Sequence, residues 1–342
     1  MSKQFSRMLD RLLDGRSLSE SEAAQLMHRL AQGDLPEALA GALLAGLRAK
    51  GETAEEIRGF AGAMRELAVH PAIPEGPPTV DTVGTGGDGS GSLNLSTGTG
   101  LLAAACGARV VKHGNRSISS RSGSADMLEQ LGMSLPMHEA AAVACLAATN
   151  FTFLFAPAYH PAMKAVVPVR GALSVRTVFN MLGPLTNPAA PPYQLIGAWS
   201  PAAARLMADA LSGMPIERAF VVHGAPGWDE ATPVGEFLLL DVVPGRVTES
   251  VRKPEDYGVT RCPAEALTGG DAAHNAAELV RVFSGEDRGA HRDALLMGAS
   301  LVLEVLGSAR DAREGVTMAA AVLDGGSASA FLGRLQEHFR AT

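Results

Sequence analysis

The sequence has little cysteine and no excess of positive charge, and each shortage argues against a class of protein. Its three cysteines, Cys106, Cys145 and Cys262, are too few and too scattered for a disulfide framework or a zinc site. Lysine and arginine number 29 against 36 aspartate and glutamate residues, so the net charge is −7 and general nucleic-acid binding is not expected. An anionic ligand must therefore be held by locally placed cations and backbone N–H groups.

Long apolar runs are also missing. No stretch approaches the roughly eighteen apolar residues of a membrane span, and residues 1–16 mix charged and apolar residues where a signal peptide has an uninterrupted apolar centre. We therefore expect a cytoplasmic protein. With 342 residues, of which 46% are hydrophobic, the chain can form one large domain or two unequal ones.

The first seventy residues predict three amphipathic helices. Ser19 and Glu22 form one capping box, and Thr53 and Glu56 form another. Pro36 opens the helix between them, which Gly51 ends. The proline-rich residues 71–78 then form a stiff connector. We expect a helical domain at 1–70, joined by helices from about 163–182, and an α/β domain at 71–342.

Beyond the connector, short apolar strands alternate with helices. The predicted strands are residues 80–83, 109–111, 151–155, 194–198 and 219–223, followed by a hairpin of 237–243 and 246–249 and by helices from 271 onward, broken at Gly285 and Gly325. This alternation is typical of an α/β fold with a mainly parallel central sheet, whose ligands bind at the carboxyl ends of the strands.

Two strand ends carry a pattern suited to phosphate. The first strand runs into a loop with three glycines in four positions, Gly84 to Gly87, and a helix that Asn94 or Ser96 can cap follows. Glycines let backbone N–H groups approach a phosphate, and the helix N-terminus adds further donors. The second strand leads into 112–116, Lys-His-Gly-Asn-Arg. A glycine-rich loop alone is a weak signal, and this one matches neither the nucleoside triphosphate loop nor the dinucleotide fingerprint.

Two further groups of residues have chemical potential. Arg170 lies in a segment rich in apolar residues, and a guanidinium there can bind a carboxylate through two hydrogen bonds. A surface arginine on a helix is the alternative. Asp229 and Glu230 are adjacent carboxylates in a loop after a strand, either simply solvated or ligands for a hard cation.

Together these segments resemble the anthranilate phosphoribosyltransferases of tryptophan biosynthesis, part of the nucleoside phosphorylase/phosphoribosyltransferase superfamily. The GTGGD loop, the N-x-S-T segment, the KHGNR-x-x-S-S-x-x-G-S stretch and the block around Arg170 are all present, in order, and the resemblance covers nearly the whole chain. It implies transfer of the phosphoribosyl group of 5-phosphoribosyl 1-pyrophosphate (PRPP) to the amine of anthranilate, the second step of tryptophan synthesis from chorismate, and a small helical domain before a large α/β domain.

The resemblance also assigns residues. It implies that magnesium is held by Ser96, Asp229 and Glu230, and anthranilate by Gly84, Asn115 and Arg170. It implies PRPP binding by residues of the two strand-end segments, namely Gly84, Gly87, Asp88, Ser92, Asn94, Leu95, Ser96, Thr97, Lys112, His113, Gly114, Asn115, Arg116, Ser117, Ile118, Ser119, Ser120 and Ser124. The cations would come from Lys112 and Arg116, whereas His113 could position a substrate or act in catalysis.

The implied chemistry is displacement at the anomeric carbon of ribose, with pyrophosphate leaving. An aromatic amine is neutral at pH 7, so catalysis would rest on orientation and on stabilising the leaving group. Some residues differ from the family's usual ones, namely Leu93, Ser174, Trp228 and Met297. The alternatives are an enzyme for another aromatic amine, a pyrimidine-nucleoside phosphorylase, and a non-catalytic relative that binds nucleic acid.

The helical domain is also expected to mediate assembly. Three short helices hide little apolar surface by themselves, and their stripes include Leu26, Leu30, Leu43 and Leu47. The resembling family is typically homodimeric through this region. We therefore expect a homodimer through the N-terminal helices.

Overall fold

A computed structural model of the chain describes residues 2–117 and 121–340. Three of the predicted phosphate-binding residues, Ile118, Ser119 and Ser120, lie outside the described residues.

The chain begins with four helices, one more than predicted. They are α1 (Ser2–Leu13), α2 (Glu20–Gln32), α3 (Glu37–Lys50) and α4 (Ala54–Glu66). Both predicted capping boxes are confirmed, because Ser19 and Glu22, and likewise Thr53 and Glu56, exchange side-chain to backbone bonds. Gly51 ends α3 as predicted.

The remaining helices follow the strands. They are α5 (Leu95–Ala105), α6 (Ser124–Gln130), α7 (Glu139–Thr149), α8 (Ala156–Tyr159), α9 (Val167–Leu173), α10 (Phe179–Leu182), α11 (Pro201–Ser212), α12 (Ala272–Phe283), α13 (Ala290–Val305), α14 (Ala312–Asp324) and α15 (Ser327–Arg340). The last four have a third break at 306–311 besides the two predicted. Within the described ranges no single helix is long and apolar enough to cross a membrane; only the sharply bent pair α14 and α15 reaches that length and composition together.

Within the described residues, seven strands form one mixed sheet. They are β1 (Thr79–Gly84), β2 (Arg109–Gly114), β3 (Phe151–Phe155), β4 (Tyr193–Gly197), β5 (Arg218–Gly224), β6 (Phe237–Val243) and β7 (Arg246–Arg252). Their order is β3-β2-β1-β4-β5-β6-β7, and the first five are parallel while β6 and β7 run antiparallel. The predicted fold class, a helical segment followed by an α/β domain with a mainly parallel sheet, is confirmed.

The core lies on both faces of this sheet. Successive strand residues point to opposite faces, so Val80 belongs to one hydrophobic cluster and Val83 to the other. The first cluster is covered by α5, α7 and the C-terminal helices. The second packs against α11 and continues into the N-terminal helices, and it includes Val166, Val169 and Phe179. The N-terminal helices therefore share a core with the segment around α9.

The apolar stripes of α2 and α3 are used inside this one chain. Leu26, Leu43 and Leu47 have no exposed surface and Leu30 is 3% exposed. The expectation that these leucines meet a partner subunit was therefore wrong, because α2 packs on α4 and α3 packs on the unpredicted helix α1, with a smaller contribution from α9.

Candidate active site

The strands at the centre of the sheet end in glycine. At Gly84, Gly197 and Gly224, the last residues of β1, β4 and β5, an added Cβ atom would overlap atoms of Asp229 or Glu230. These glycines let the loop after β5 lie directly on the carboxyl edge of the sheet. The two predicted metal carboxylates are thereby brought to the end of β1.

Asp229 binds the glycine-rich loop. Its Oδ2 accepts bonds from the Gly86 N–H at 2.6 Å and the Thr85 hydroxyl at 3.4 Å, and its own N–H donates to Asp88 Oδ2 at 3.2 Å. Burial, followed by the neighbouring charge of Asp88, raises the pKa of Asp229 to about 7. Two predicted site residues, Asp88 and Asp229, thus face one another.

Glu230 binds the N-terminus of α5. Its Oε1 accepts the Ser96 N–H at 3.0 Å, and burial, reinforced by Asp229, raises its pKa well above the usual value. Asn94 occupies the N-cap position as predicted but makes no side-chain cap. Its amide is instead bonded to Ser122 and Asn275. The first turn of α5 is therefore capped by a distant carboxylate, which the local sequence does not reveal.

Lys112 is more deeply buried than a simple phosphate contact requires. Its side chain is 1% exposed, and its ammonium donates to the Thr82 carbonyl and lies 3.4 Å from Ser96 Oγ. Burial lowers the pKa of Lys112, an effect opposed by the nearby charges of Asp81, Glu230 and Asp229. Lysine and carboxylates thus form one charge cluster beneath α5.

The other residues of the 112–116 segment differ in their burial and in their partners. His113 is buried, and burial with the adjacent His160 lowers its pKa to about 3, so the ring is neutral at physiological pH. Arg116 is exposed and pairs with Glu129 and Asp126. Asn115 is exposed. The roles predicted for Arg116 and Asn115 remain predictions.

The other predicted phosphate residues surround these groups. Ser92 bonds Ser90 through their hydroxyls at 3.1 Å, and the Ser117 N–H donates to Asp126 at 3.1 Å. Leu95 and Thr97 are buried, with the leucine in the core. Gly87 is exposed in the loop, Gly114 ends β2, and Ser124 opens α6 beside it.

Arg170 lies near the end of α9. Its guanidinium stacks on the Phe179 ring at 5.1 Å, and burial lowers its pKa. Within the described residues, no carboxylate lies within ion-pair distance of it, unlike Arg116. A half-buried cation beside an aromatic ring is suited to an aromatic carboxylate.

Three residues at this site were not among those predicted. Arg176 donates to the Gly87 carbonyl and stacks on Trp199 at 4.8 Å, so it joins the segment after α9 to the glycine loop. Asp81 and Asn187 bond each other between β1 and β2. A charged residue, Asp81, in a strand otherwise made of threonine, valine and glycine was a sequence signal for its involvement, whereas nothing in the sequence marked the other two.

The carboxylates suit a hard divalent cation. Asp88, Asp229 and Glu230 are neighbours, and burial together with the repulsion between their charges raises the pKa of Asp229 and Glu230. Oxygen ligands of this kind are those that magnesium takes in proteins. The donor set therefore fits the implied metal, and the Ser96 hydroxyl adjoins the same cluster through Lys112.

Comparison with known proteins first defines the class. A model of the glycosyl transferase family, helical bundle domain, matches residues 6–68, and a model of the glycosyl transferase family, a/b domain, matches residues 76–329. Together the two models account for most of the chain.

Individual relatives narrow the class. An anthranilate phosphoribosyltransferase of Rubrobacter xylanophilus is 45% identical over 94% of this chain and 93% of its own. The crystal structure of anthranilate phosphoribosyltransferase from Thermus thermophilus is 42% identical and covers 97% of this chain and 99% of its own, with a TM-score of 0.91. The Saccharomyces cerevisiae enzyme in complex with PRPP and Mg has a TM-score of 0.89 at 24% identity, covers 100% of this chain and 99% of its own, and adds evidence for the fold alone.

The chain belongs to the anthranilate phosphoribosyltransferase family. The resemblance drawn from the motifs is confirmed, and so is the enzyme class that it implied, a pentosyltransferase. The roles of the individual site residues remain predictions.

Proposed function

We propose that the chain transfers the phosphoribosyl group of PRPP to the amine of anthranilate, releasing pyrophosphate, as the second step of tryptophan synthesis from chorismate. The observation that carries this proposal is the meeting, at the carboxyl edge of the sheet, of the glycine loop, the N-terminus of α5 and three carboxylates. Such an edge presents backbone N–H donors for phosphates and oxygens for a metal.

We assign PRPP to this edge. The Gly84 to Asp88 loop supplies backbone donors, and Lys112 supplies a cation. Magnesium would be held by Asp229 and Glu230 with the Ser96 hydroxyl, and when bound it neutralises charge on the leaving pyrophosphate. The Ser96 N–H is already taken by Glu230, so this residue offers its hydroxyl.

We assign anthranilate to the Arg170 side of the site. Arg170 pairs with the carboxylate, while Asn115 and the backbone of Gly84 face the ring or amine. His113, neutral because its pKa is about 3, cannot add a competing positive charge there. Its Nδ1 lies 3.3 Å from the Gly183 carbonyl, which fixes the ring. This favours a positioning role over acid–base catalysis.

The reaction then needs orientation more than proton transfer. The amine of anthranilate is neutral at pH 7, so its lone pair is available without a general base. The chain holds acceptor and donor in line, and the cations and backbone N–H groups stabilise charge on the departing pyrophosphate. Charge that develops only in the transition state is thereby matched by donors already in place.

Pyrophosphate release with magnesium and PRPP tests the function. We expect turnover with anthranilate and little with aniline, which lacks the carboxylate, or with uracil. Arg170→Ala should raise the anthranilate KM by tens to a hundredfold, because a charge-assisted bidentate pair is worth about 2–3 kcal/mol. The same variant should leave the rate with aniline and the KM for PRPP close to wild type.

The alternatives give different outcomes in this assay. Phosphorolysis of a pyrimidine nucleoside without anthranilate turnover would support the phosphorylase. Preference for another amine would support a changed acceptor, for which Trp228 is a weak candidate because its side chain is 8% exposed and packs in the core.

We further propose that the protein is a homodimer in the cytoplasm. Its helical domain would comprise residues 1–70, joined by helices from about 163–182, and its α/β domain residues 71–342. The support for the dimer is a surface of small residues on α3 and α9 rather than the buried leucines. A groove of about 390 Å³ there is lined by Gly41, Ala42, Ala45, Val169, Ala172 and Leu173. Small residues allow close approach of two helices, so a second copy fits this surface.

A further inference from the structure

The pairing between β1 and β2 stops early. Their ladder has two residue pairs, Thr79 with Arg109 and Val80 with Val110. Beyond this point each strand remains fully paired with its other neighbour, as β1 pairs with β4 through Gly84 and β2 pairs with β3 through Gly114. The backbone hydrogen bonding of the sheet therefore has a gap at its centre, at the carboxyl ends of the two strands that carry the phosphate-binding segments.

Side chains occupy this gap and bond its backbone groups. Asn187 Nδ2 donates to the Val111 carbonyl and to Asp81 Oδ2, both at 2.8 Å. Asp81 Oδ1 accepts the His113 N–H at 3.2 Å. Backbone groups of β2 past the end of the ladder thus bond to Asp81 and Asn187 in place of β1. Both side chains are fully buried, and buried backbone groups without partners would cost free energy.

The gap also contains the Lys112 side chain. Its ammonium crosses to the Thr82 carbonyl of β1, on the side of the sheet where α5 lies. Were β1 and β2 to pair along their full length, the Thr82 carbonyl and the space beside it would no longer be free for this ammonium. His113, the next residue, is held through its own N–H by Asp81.

We propose that the Asp81–Asn187 pair is a positioning device for substrate binding: it keeps β1 and β2 apart at their carboxyl ends and so places Lys112 and His113 in the active site. The pair touches neither substrate and acts through these two residues. The proposal rests on the proposed function, since it gives the pair a role in binding PRPP.

The chemistry of the pair explains the residue types. A carboxylate offers acceptors to both the His113 N–H and the Asn187 amide, and the amide offers two donors, to Asp81 and the Val111 carbonyl. The geometry requires an acceptor-only group at 81 and a donor at 187. Asp81→Asn keeps the shape but places an amide N–H₂ against either the His113 N–H or the Asn187 amide.

Calorimetric binding of PRPP with magnesium, together with steady-state kinetics, tests this role. Asp81→Asn and Asn187→Asp should each weaken PRPP binding by about tenfold or more, since each leaves a buried charged or polar group without a partner. The anthranilate KM should change less. The double variant Asp81→Asn with Asn187→Asp should recover part of the loss, because the amide introduced at position 81 donates to the carboxylate introduced at position 187 and still accepts the His113 N–H.

Thr152→Val is the matched control. Thr152 is a fully buried residue of β3 whose hydroxyl has no partner among the described residues, and its replacement should leave PRPP affinity unchanged. Wild-type affinity in folded Asp81→Asn would overturn the proposal. The proposal would also be overturned if kcat fell only in proportion to the unfolded fraction of each variant. It would be overturned as well if the double variant bound PRPP no more tightly than the single variant that binds it less tightly.

A structural measurement separates this proposal from the proposed function. A crystal structure of Asp81→Ala with Asn187→Ala should show β1 and β2 paired beyond Val80 and Val110, with the Lys112 ammonium displaced from Thr82. An unchanged gap would overturn the positioning role. If wild-type protein binds no PRPP, the proposed function fails. The pairing of β1 with β2 in the double alanine variant still shows whether Asp81 and Asn187 set the position of Lys112.

Discussion

At the scale of single residues, burial of Asp229 and Glu230 disfavours the ionised form of each carboxyl. Each carboxyl has a folded-state pKa above its ordinary value, about 7 for Asp229. Between about pH 4 and 7 the folded protein therefore holds protons that the unfolded chain releases. By linkage, this contribution to stability is present at low pH and is lost as the pH rises through that window. A divalent cation would offset the loss at higher pH.

Replacing both carboxylates with amides tests this account. We expect Asp229→Asn with Glu230→Gln to abolish turnover and, in metal-free protein at pH 8, to raise Tm by several degrees over wild type, because the buried charges are gone. At pH 5 the difference should shrink. Thermal melts in a chelator at both pH values, repeated with magnesium, measure this. Magnesium should stabilise wild type at pH 8 and leave the variant unchanged; a variant that melts below wild type at pH 8 would contradict the account.

The residues that sequence motifs identify are those whose chemistry is local. Asp229 and Glu230 are adjacent, and the glycine loop is contiguous, so both could be predicted. The contact of Glu230 with the Ser96 N–H spans 134 residues, and no local rule predicts a cap from that distance. Lys112 could be predicted as a cation, but its burial depends on the gap between β1 and β2.

At the scale of elements, the strand-end glycines set where Asp229 and Glu230, the predicted metal carboxylates, lie. An Ala at 197 would place its Cβ on the Asp229 carbonyl, so the loop after β5 must move. We expect Gly197→Ala to cut turnover more than tenfold and to destabilise the fold by about 1–3 kcal/mol, the usual cost of overpacking. Activity assays, magnesium titration and melts measure the two effects.

Gly62→Ala is the control for this variant. Gly62 lies inside α4 with open space around its Cβ position, so alanine there should keep activity and stabilise the helix slightly. Wild-type activity and magnesium affinity in Gly197→Ala would show that the loop does not depend on the glycine.

Most elements could be predicted because their signals are strong and local. All seven strands were predicted within three residues at each end, since apolar runs bounded by turns mark them. The helix α1 was not predicted, and neither was the break at 306–311. The order of the strands could not be predicted from the sequence either, because the pairing of β1 with β4 depends on contacts between distant segments.

At the scale of the whole molecule, the exposed small-residue surface on α3 and α9 makes an assembly prediction. Ala45→Arg puts a long charged side chain on an exposed position of the groove. We expect it to give a folded monomer, where wild type has twice the 35.4 kDa chain mass. Light scattering at micromolar concentration measures this.

Ala202→Arg, at an exposed alanine of α11, should remain dimeric. A wild-type monomer with full activity would show that the α3 and α9 surface has no second copy on it. The leucine stripes illustrate why sequence alone misplaced this surface: apolar spacing predicts burial but does not say which segment provides it.

The parallel order of the sheet also has a consequence for biosynthesis. The bond from Gly86 to Asp229 joins residues 143 positions apart. The loop after β1 can therefore contact the carboxylates only after β4 and β5 have joined the sheet. During translation, the N-terminal helices emerge first and the glycine loop remains without its partner until the ribosome has passed residue 230. Contacts of such large sequence separation form slowly. The active site should thus be among the last parts of the nascent chain to mature, and a truncated chain ending before β5 should have none.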